Sequence, residues 1–182
     1  MQPLWLLDSI GSRLIRDEQQ AFSDLSISSL GNYFLQLGIW GHSNTFTDNT
    51  PIKNRFLITA HSFGEVALVA DLDRLPLQDQ TIDVVFLPHT LEQYDNHLEI
   101  LSSCVNTISE SGSLVALGFN PASLWGVRHL FSGKYFLPGI QRLISPNQYT
   151  LWLVHLGFRV EKIHYFHAII PLRKRHELPL TC

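Results

Sequence analysis

Cysteine is nearly absent. The 182 residues hold two, Cys104 within an apolar segment and Cys182 at the last position. That pair gives neither a disulfide framework nor a thiolate metal site, and it fits a reducing compartment. Charge is also sparse: 13 Lys and Arg stand against 16 Asp and Glu, for a formal net charge of −3. No global electrostatic attraction to nucleic acid follows from that balance, so no nucleic-acid partner is expected. The one basic run, Arg173-Lys174-Arg175, reads as a solvated tail. Apolar runs of about 20 residues, the length needed to span a bilayer, are missing. So are a basic n-region and a small-residue cleavage site, which leaves a cytoplasmic location as the expectation. There is no Gly-x-Ser-x-Gly elbow and no Walker loop. Nor is there a Gly-x-Gly-x-x-Gly turn, which speaks against an oxidoreductase built around a dinucleotide. The nine histidines are not spaced as a ligand set, and no metal is expected.

Hydrophobic residues make up 45% of the chain, enough for a sizeable buried core. Residues 1–30 are expected to form an N-terminal helical segment. Leu7, Ile10, Leu14 and Ile15 recur at helical spacing, and Arg13, Arg16, Asp17 and Glu18 fall on other faces. Residues 31–166 read as one α/β domain, and 167–182 as a C-terminal tail. Strands are predicted at 33–39, 55–60, 66–70, 82–87, 113–119 and 158–166, with a turn at Glu110-Ser111-Gly112 before the fifth. Helices are predicted at about 96–108, 123–131 and 146–156, with Gly157 as a left-handed cap. This alternation implies parallel pairing in a doubly wound, mostly parallel sheet of Rossmann-like type. Ligands of such sheets sit beyond the carboxyl ends of the strands. Those ends are 38–42, 70–72, 88–93 and 118–121.

The strand ends carry a pattern. It runs Ala70-Asp71-Leu72-Asp73-Arg74-Leu75-Pro76-Leu77, then Thr81-Ile82-Asp83-Val84-Val85, then His89-Thr90-Leu91-Glu92, then Ser111-Gly112-Ser113-Leu114-Val115. In order and spacing it resembles the central block of the type 11 class I S-adenosylmethionine-dependent methyltransferases. Gly118-Phe119-Asn120-Pro121, followed by Ser123-Leu124-Trp125-Gly126, is similar to a poorly characterised bacterial branch of that family. The resemblance implies S-adenosylmethionine as cofactor and methyl transfer to a small-molecule acceptor. It also implies that Asp71 accepts the adenine amino group, with Leu72 beside it, and that Pro88 and His89 line the cofactor and the substrate entrance. A carboxylate in a partly apolar slot is a strong acceptor for such an amino group; the same Asp71 also suits a turn cap. His89 is a candidate general base, because imidazole titrates near neutrality. Asn120, Trp125 and Tyr135 are candidates to contact the acceptor.

Three departures from the pattern set up a rival reading. The glycine loop is reduced to Leu37-Gly38-Ile39-Trp40-Gly41-His42, so Gly38, Gly41 and Trp40 stand where a glycine-rich turn is usual. Trp40 is open to two roles, a wall of the cofactor site or a core anchor. The end of the second strand, Thr59-Ala60-His61-Ser62, has no acidic residue for the ribose hydroxyls, and the nearest carboxylate is Glu65. The seventh strand of the fold is short or missing, because only Ala168-Ile169-Ile170-Pro171-Leu172 follows and Pro171 interrupts it. An uncovered sheet edge there invites a homodimer through the C-terminal edge. The rival is a methyltransferase-like binding or interaction module without catalysis.

Overall fold

When successive residues of a strand are nearly all apolar, both faces of its sheet must be covered. Strands β1 (Tyr33–Leu37) and β4 (Ile82–Pro88) meet that description and form the centre of the molecule. Phe34, Val84 and Phe86 point to one buried cluster; Leu35, Leu37, Val85 and Leu87 point to the other. The computed structural model describes residues 6, 9–25, 31–61, 68–132, 137 and 139–166. Around the central pair run β2 (Asn54–Thr59), β3 (Leu68–Val69) and β5 (Ile108–Leu117). The sheet order is β3-β2-β1-β4-β5, and every pairing is parallel. This is the doubly wound architecture expected from the sequence.

Helices cover both faces. The helix α1 (Ser9–Ser23) lays Leu14 and Phe22 on the first cluster, where Phe22 meets Phe34, Phe46 and Phe86 with ring centroids 4.4–5.9 Å apart. After β4 come a single turn, α2 (Thr90–Gln93), and then α3 (His97–Thr107). Ile100, Leu101 and Cys104 of α3 are fully buried in the second cluster. The helix α4 (Leu124–Ser132) follows β5, and α5 (Pro146–His155) follows a longer connection. The start of α5 is capped by Ser145, whose side chain accepts from the Gln148 amide, and Pro146 occupies the first turn. Beyond its end, Gly157 takes φ +89°, the left-handed value its position predicted.

Two expectations change. The turn at Glu110-Ser111-Gly112 does not separate α3 from a later strand; β5 begins at Ile108, directly after α3. The ladder to β4 jumps from Ile82↔Ile108 to Val84↔Ser113, so the predicted turn is absorbed as an outward bulge. Gly112 allows it, since a Cβ there would stand 2.6 Å from the Ile108 side chain and 3.0 Å from two β4 carbonyls. Residues 158–166 form no strand, although their side chains alternate; Phe158 and Phe166 pack against opposite core clusters instead. The tail from 167 on, including the segment considered for a seventh strand and a homodimer, lies outside the described residues.

Asp83 shows how a family motif residue can serve the scaffold. Its carboxylate accepts from the Asn32 and Tyr33 amides at 2.7 and 3.0 Å and from the Ser109 hydroxyl at 3.2 Å. It therefore ties the amino ends of β1, β4 and β5 together, at the opposite end of the sheet from the ligand rim.

Candidate functional site

The carboxyl ends of the strands bring together the turn after β1, the end of β3, the β4–α2 junction and the turn after β5. At the first of these, Gly38 and Gly41 adopt φ of +81° and +78°, values costly for any residue with a Cβ. A Cβ on Gly38 would meet the Thr90 hydroxyl at 3.0 Å, and one on Gly41 the Thr45 hydroxyl at 2.8 Å. The Gly38 amide donates to the Ile58 carbonyl and Thr90 Oγ1 to the Leu37 carbonyl. These contacts hold the turn against both neighbouring strands. Trp40 takes the anchoring role: it is wholly buried in the core.

Asp71 is exposed at the end of β3, and its carbonyl accepts the Arg74 amide. Leu72 beside it is buried in the second cluster. Pro88 is the last residue of β4, in register with Leu117. Asn120 accepts the Ala122 amide through its side chain, and its carbonyl accepts the Ser123 amide and hydroxyl, so it shapes the turn that opens α4. Trp125 is buried and stacks on Phe119 at 5.9 Å. Tyr135 and Glu65 lie outside the described residues. At the end of β2, Thr59 Oγ1 donates to the His61 carbonyl, and among the described residues there no carboxylate is present.

His89 is the centre of the rim. It takes a left-handed backbone (φ 56°, ψ 15°) at the start of α2, uncommon for a residue with a side chain. Its ring is 2% exposed. Nδ1 lies 2.7 Å from Glu92 Oε2 and Nε2 lies 2.9 Å from Glu18 Oε1. Two aromatic rings also pack against it, Trp40 at 4.3 Å and Phe119 at 4.4 Å between centroids; they lie 5.9 Å from each other. Burial alone would depress the imidazole pKa. The charge and hydrogen bond of Glu18, then those of Glu92, outweigh it and raise the value from 6.5 to about 9. A neighbouring aromatic ring also favours a cation over its face. The carboxyl of Glu92 is pushed up by burial, against the lowering pull of His89 and of backbone amides.

The network extends in both directions. Trp40 Nε1 donates to Glu18 Oε2 at 2.8 Å, and the Phe119 amide donates to Glu92 Oε1 at 3.0 Å. One buried chain of hydrogen bonds thus joins α1, the turn after β1, the end of β4, α2 and the end of β5. The two carboxylates take opposite nitrogens of one ring, so they do not converge on a point. No group of described residues is arranged to hold a metal ion.

Glu18 and Glu92 have roles that the sequence reading did not give them. Glu18 was placed on an outer face of α1, yet it is 1% exposed. Its spacing carried a signal, four residues after Leu14 and four before Phe22, both of which face the core. Tyr149 is a further unforeseen neighbour. Its ring lies against Gly118 at the end of β5, and its buried hydroxyl has no hydrogen-bond partner among the described residues. Burial and then the Glu92 charge raise its pKa well above the ordinary 10. Away from the rim, a groove of about 600 Å³ runs between the β3–β4 connection, α3 and the end of α5, lined by Asp73, Leu75, Glu99 and His155 among others.

With this geometry in hand, comparisons with known proteins agree. Residues 48–116 match the family model described as a methyltransferase domain. A methyltransferase of Archaeoglobus fulgidus shares the fold with a TM-score of 0.64 at 19% identity, over 88% of this chain and 79% of that one. The chain therefore has the fold of these methyltransferases, and residues 48–116 match the sequence of their domain model. A second methyltransferase, from Thermotoga maritima, also superposes at a TM-score of 0.64, with 16% identity over 86% of this chain and 75% of that one. In sequence, the chain is 32% identical over 105 residues to the uncharacterized protein YafS of Escherichia coli strain K12. That match takes in 57% of this chain and spans 44% of the length of the Escherichia coli protein. No described helix is long and apolar enough to cross a membrane.

Proposed function

We propose that this domain binds S-adenosylmethionine across the carboxyl rim of the sheet and transfers its methyl group to a small-molecule acceptor. The observation that carries the reading is the gathering of the Gly38 turn, Asp71 and the β4–α2 junction on one rim, in the strand order of class I methyltransferases. The residues present suit the cofactor at the adenosine end. Asp71 offers an exposed carboxylate, with the buried Leu72 beside it as an apolar floor. Together they would hold the adenine, the carboxylate accepting its amino group. The positive-φ turn from Gly38 to Gly41 would present backbone to the amino-acid portion. When bound, the cofactor supplies an electrophilic methyl on a sulfonium.

His89 has a different part from the general base suggested by its position. Both of its nitrogens are engaged by carboxylates and the ring is buried, so it has no free lone pair to offer an acceptor. It is a positioning residue that holds Trp40 and Phe119. Asn120 and Trp125 contribute through the shape of the turn after β5, on the acceptor side. A cytoplasmic enzyme is the corresponding setting.

The second reading, a binding module without catalysis, is favoured by the end of β2, where the described residues offer no carboxylate for the ribose hydroxyls. Calorimetric titration with S-adenosylmethionine and S-adenosylhomocysteine separates the two readings. Saturable binding is expected; no heat at millimolar ligand would refute the enzyme reading. Asp71→Ala should weaken binding about ten- to hundredfold, the effect of removing one charged hydrogen-bond acceptor. Unchanged affinity would move the adenine elsewhere.

A further inference from the structure

The adenosine end of the rim rests on the shortest strand. Among the described residues β3 has two residues and pairs with β2 alone, and the last bond of that pairing runs from the Ala70 amide to the Thr59 carbonyl at 3.0 Å. So short an edge strand fixes the chain beyond it weakly. The next four residues, Asp71 to Arg74, form one turn, closed by the Arg74 amide on the Asp71 carbonyl at 3.2 Å. Two side chains tie that turn down. Leu72 is buried in the second core cluster. Asp73 Oδ2 accepts from Asn96 Nδ2 at 3.2 Å, a half-buried bond between residues 23 apart. It joins the turn to the linker between α2 and α3. Past the turn, the Leu75 amide donates to Ser103 Oγ at 3.0 Å, which holds the connection to α3 but lies beyond Asp71 and Leu72. Asn96 gives up its ordinary use to make the latch. It stands just before the first turn of α3, where an asparagine side chain usually accepts a helix amide, and it makes no such bond. Its carbonyl serves the helix instead, accepting the Ile100 amide at 3.1 Å.

We propose that Asn96 is a positioning residue of the adenosine end of the cofactor site: through Asp73 it holds the turn on which Asp71 and Leu72 would meet the adenine. The inference rests on the reading of Asp71 as the adenine acceptor. A hydrogen bond is directional, so the latch fixes the orientation of the turn as well as its distance from α3. Asp71 is exposed, and its carboxylate can take an adenine amino group only where the turn presents it. Without the latch Asp71 stays in the chain but its place beside Leu72 loosens. Affinity then falls although every group that touches the cofactor remains. S-adenosylmethionine and S-adenosylhomocysteine share the adenosine end, so both should lose alike.

The test exchanges the two partners. Asn96→Asp sets two carboxylates against each other and ends the bond. Asn96→Asp combined with Asp73→Asn restores one donor and one acceptor, in the reverse direction. S-adenosylmethionine and S-adenosylhomocysteine are each titrated calorimetrically into the unaltered protein and both variants at pH 7, and urea midpoints are taken for all three. The single change should weaken both compounds about tenfold, the scale of one hydrogen bond lost to a like charge. The exchange should recover most of that loss. The midpoint of Asn96→Asp should hold, since aspartate caps a helix as well as asparagine and its charge suits a helix start. A bond that served the fold alone would lower that midpoint and leave both affinities unchanged, which overturns the inference. So does an exchanged pair that binds no better than the single change, or a loss confined to one of the two compounds. Should Asn96→Asp not fold, Asn96→Ala, Asp73→Ala and the two together decide. All three should lower the affinity equally; losses that add would show that the residues act apart and overturn the inference. Failure of the unaltered protein to bind either compound refutes the cofactor reading and this inference with it, a result distinct from binding that the variants leave unchanged.

Discussion

An ionisable side chain can be buried only if its surroundings replace the water it loses. His89 satisfies that condition through a carboxylate at each ring nitrogen, with two aromatic rings packed against it. Its pKa in the folded chain, about 9, lies above the ordinary 6.5, so the proton stabilises the fold. That contribution is complete below about pH 6.5, declines above it, and is gone once the pH passes about 9. A shift of this size corresponds to about 3 kcal/mol. Thermal midpoints should therefore fall as pH rises from 7 to 10, and the His89 ring should titrate near pH 9 by NMR. A midpoint near 6.5 would mean that the carboxylates do not hold the ring. At this scale the sequence was legible where a residue keeps its ordinary setting. Asp71, polar and exposed at a strand end, is where its motif put it. Glu18 was not legible, because its place in the core depends on a histidine 71 residues away, and local periodicity assigns a charged residue to solvent.

Elements followed the hydrophobic pattern where a neighbour was available to complete it. Strands β1 and β4 and helices α3 and α5 lie close to their expected limits because each packs apolar side chains on the core, those of α5 only partly buried. The segment 158–166 alternates like a strand, but alternation cannot supply a ladder partner, and none pairs with it among the described residues. The turn expected at 110–112 became a bulge because its residues could loop out without ending the pairing of β5 with β4. The start of α4 gives a sharp test of close packing. A Cβ on Gly126 would stand 2.3 Å from the Pro121 carbonyl oxygen, a backbone atom that cannot swing aside. Gly126→Ala should destabilise by about 1–3 kcal/mol, the usual range for overpacking, read as a lower midpoint in urea. At the carboxyl end of the same helix, Leu130 and Phe131 form an outer face and are 78% and 84% exposed. Leu130→Ser with Phe131→Ser should change the midpoint by no more than about 0.5 kcal/mol; a larger loss would show that this face is covered in solution.

At the scale of the whole molecule, α1 joins what the sheet alone would leave apart. The strand ends meet ligand from one direction, and the buried network ties them together from beneath, through a helix that precedes the sheet in the chain. The fold class was legible from the order of strands and helices, since parallel pairing follows from the lengths of the connections. The edges of the sheet were not, because an edge is defined by what does not pair. Among the described residues β5 has a ladder partner on one side only, β4, whereas β1 lies between β2 and β4. Hydrogen exchange should reveal that asymmetry. Amides of β1 and β4 should exchange only on global opening, while alternate amides of β5, those directed away from β4, should exchange orders of magnitude faster. Mass spectrometry of peptides covering 108–117 and 82–88, at low and high protein concentration, measures the difference. Protection of β5 that is equal to that of β4 and independent of concentration would mean that another part of the same chain pairs with the edge. Protection that grows with concentration would mean that a second copy does. Fast exchange at every concentration is the outcome expected from the sheet order.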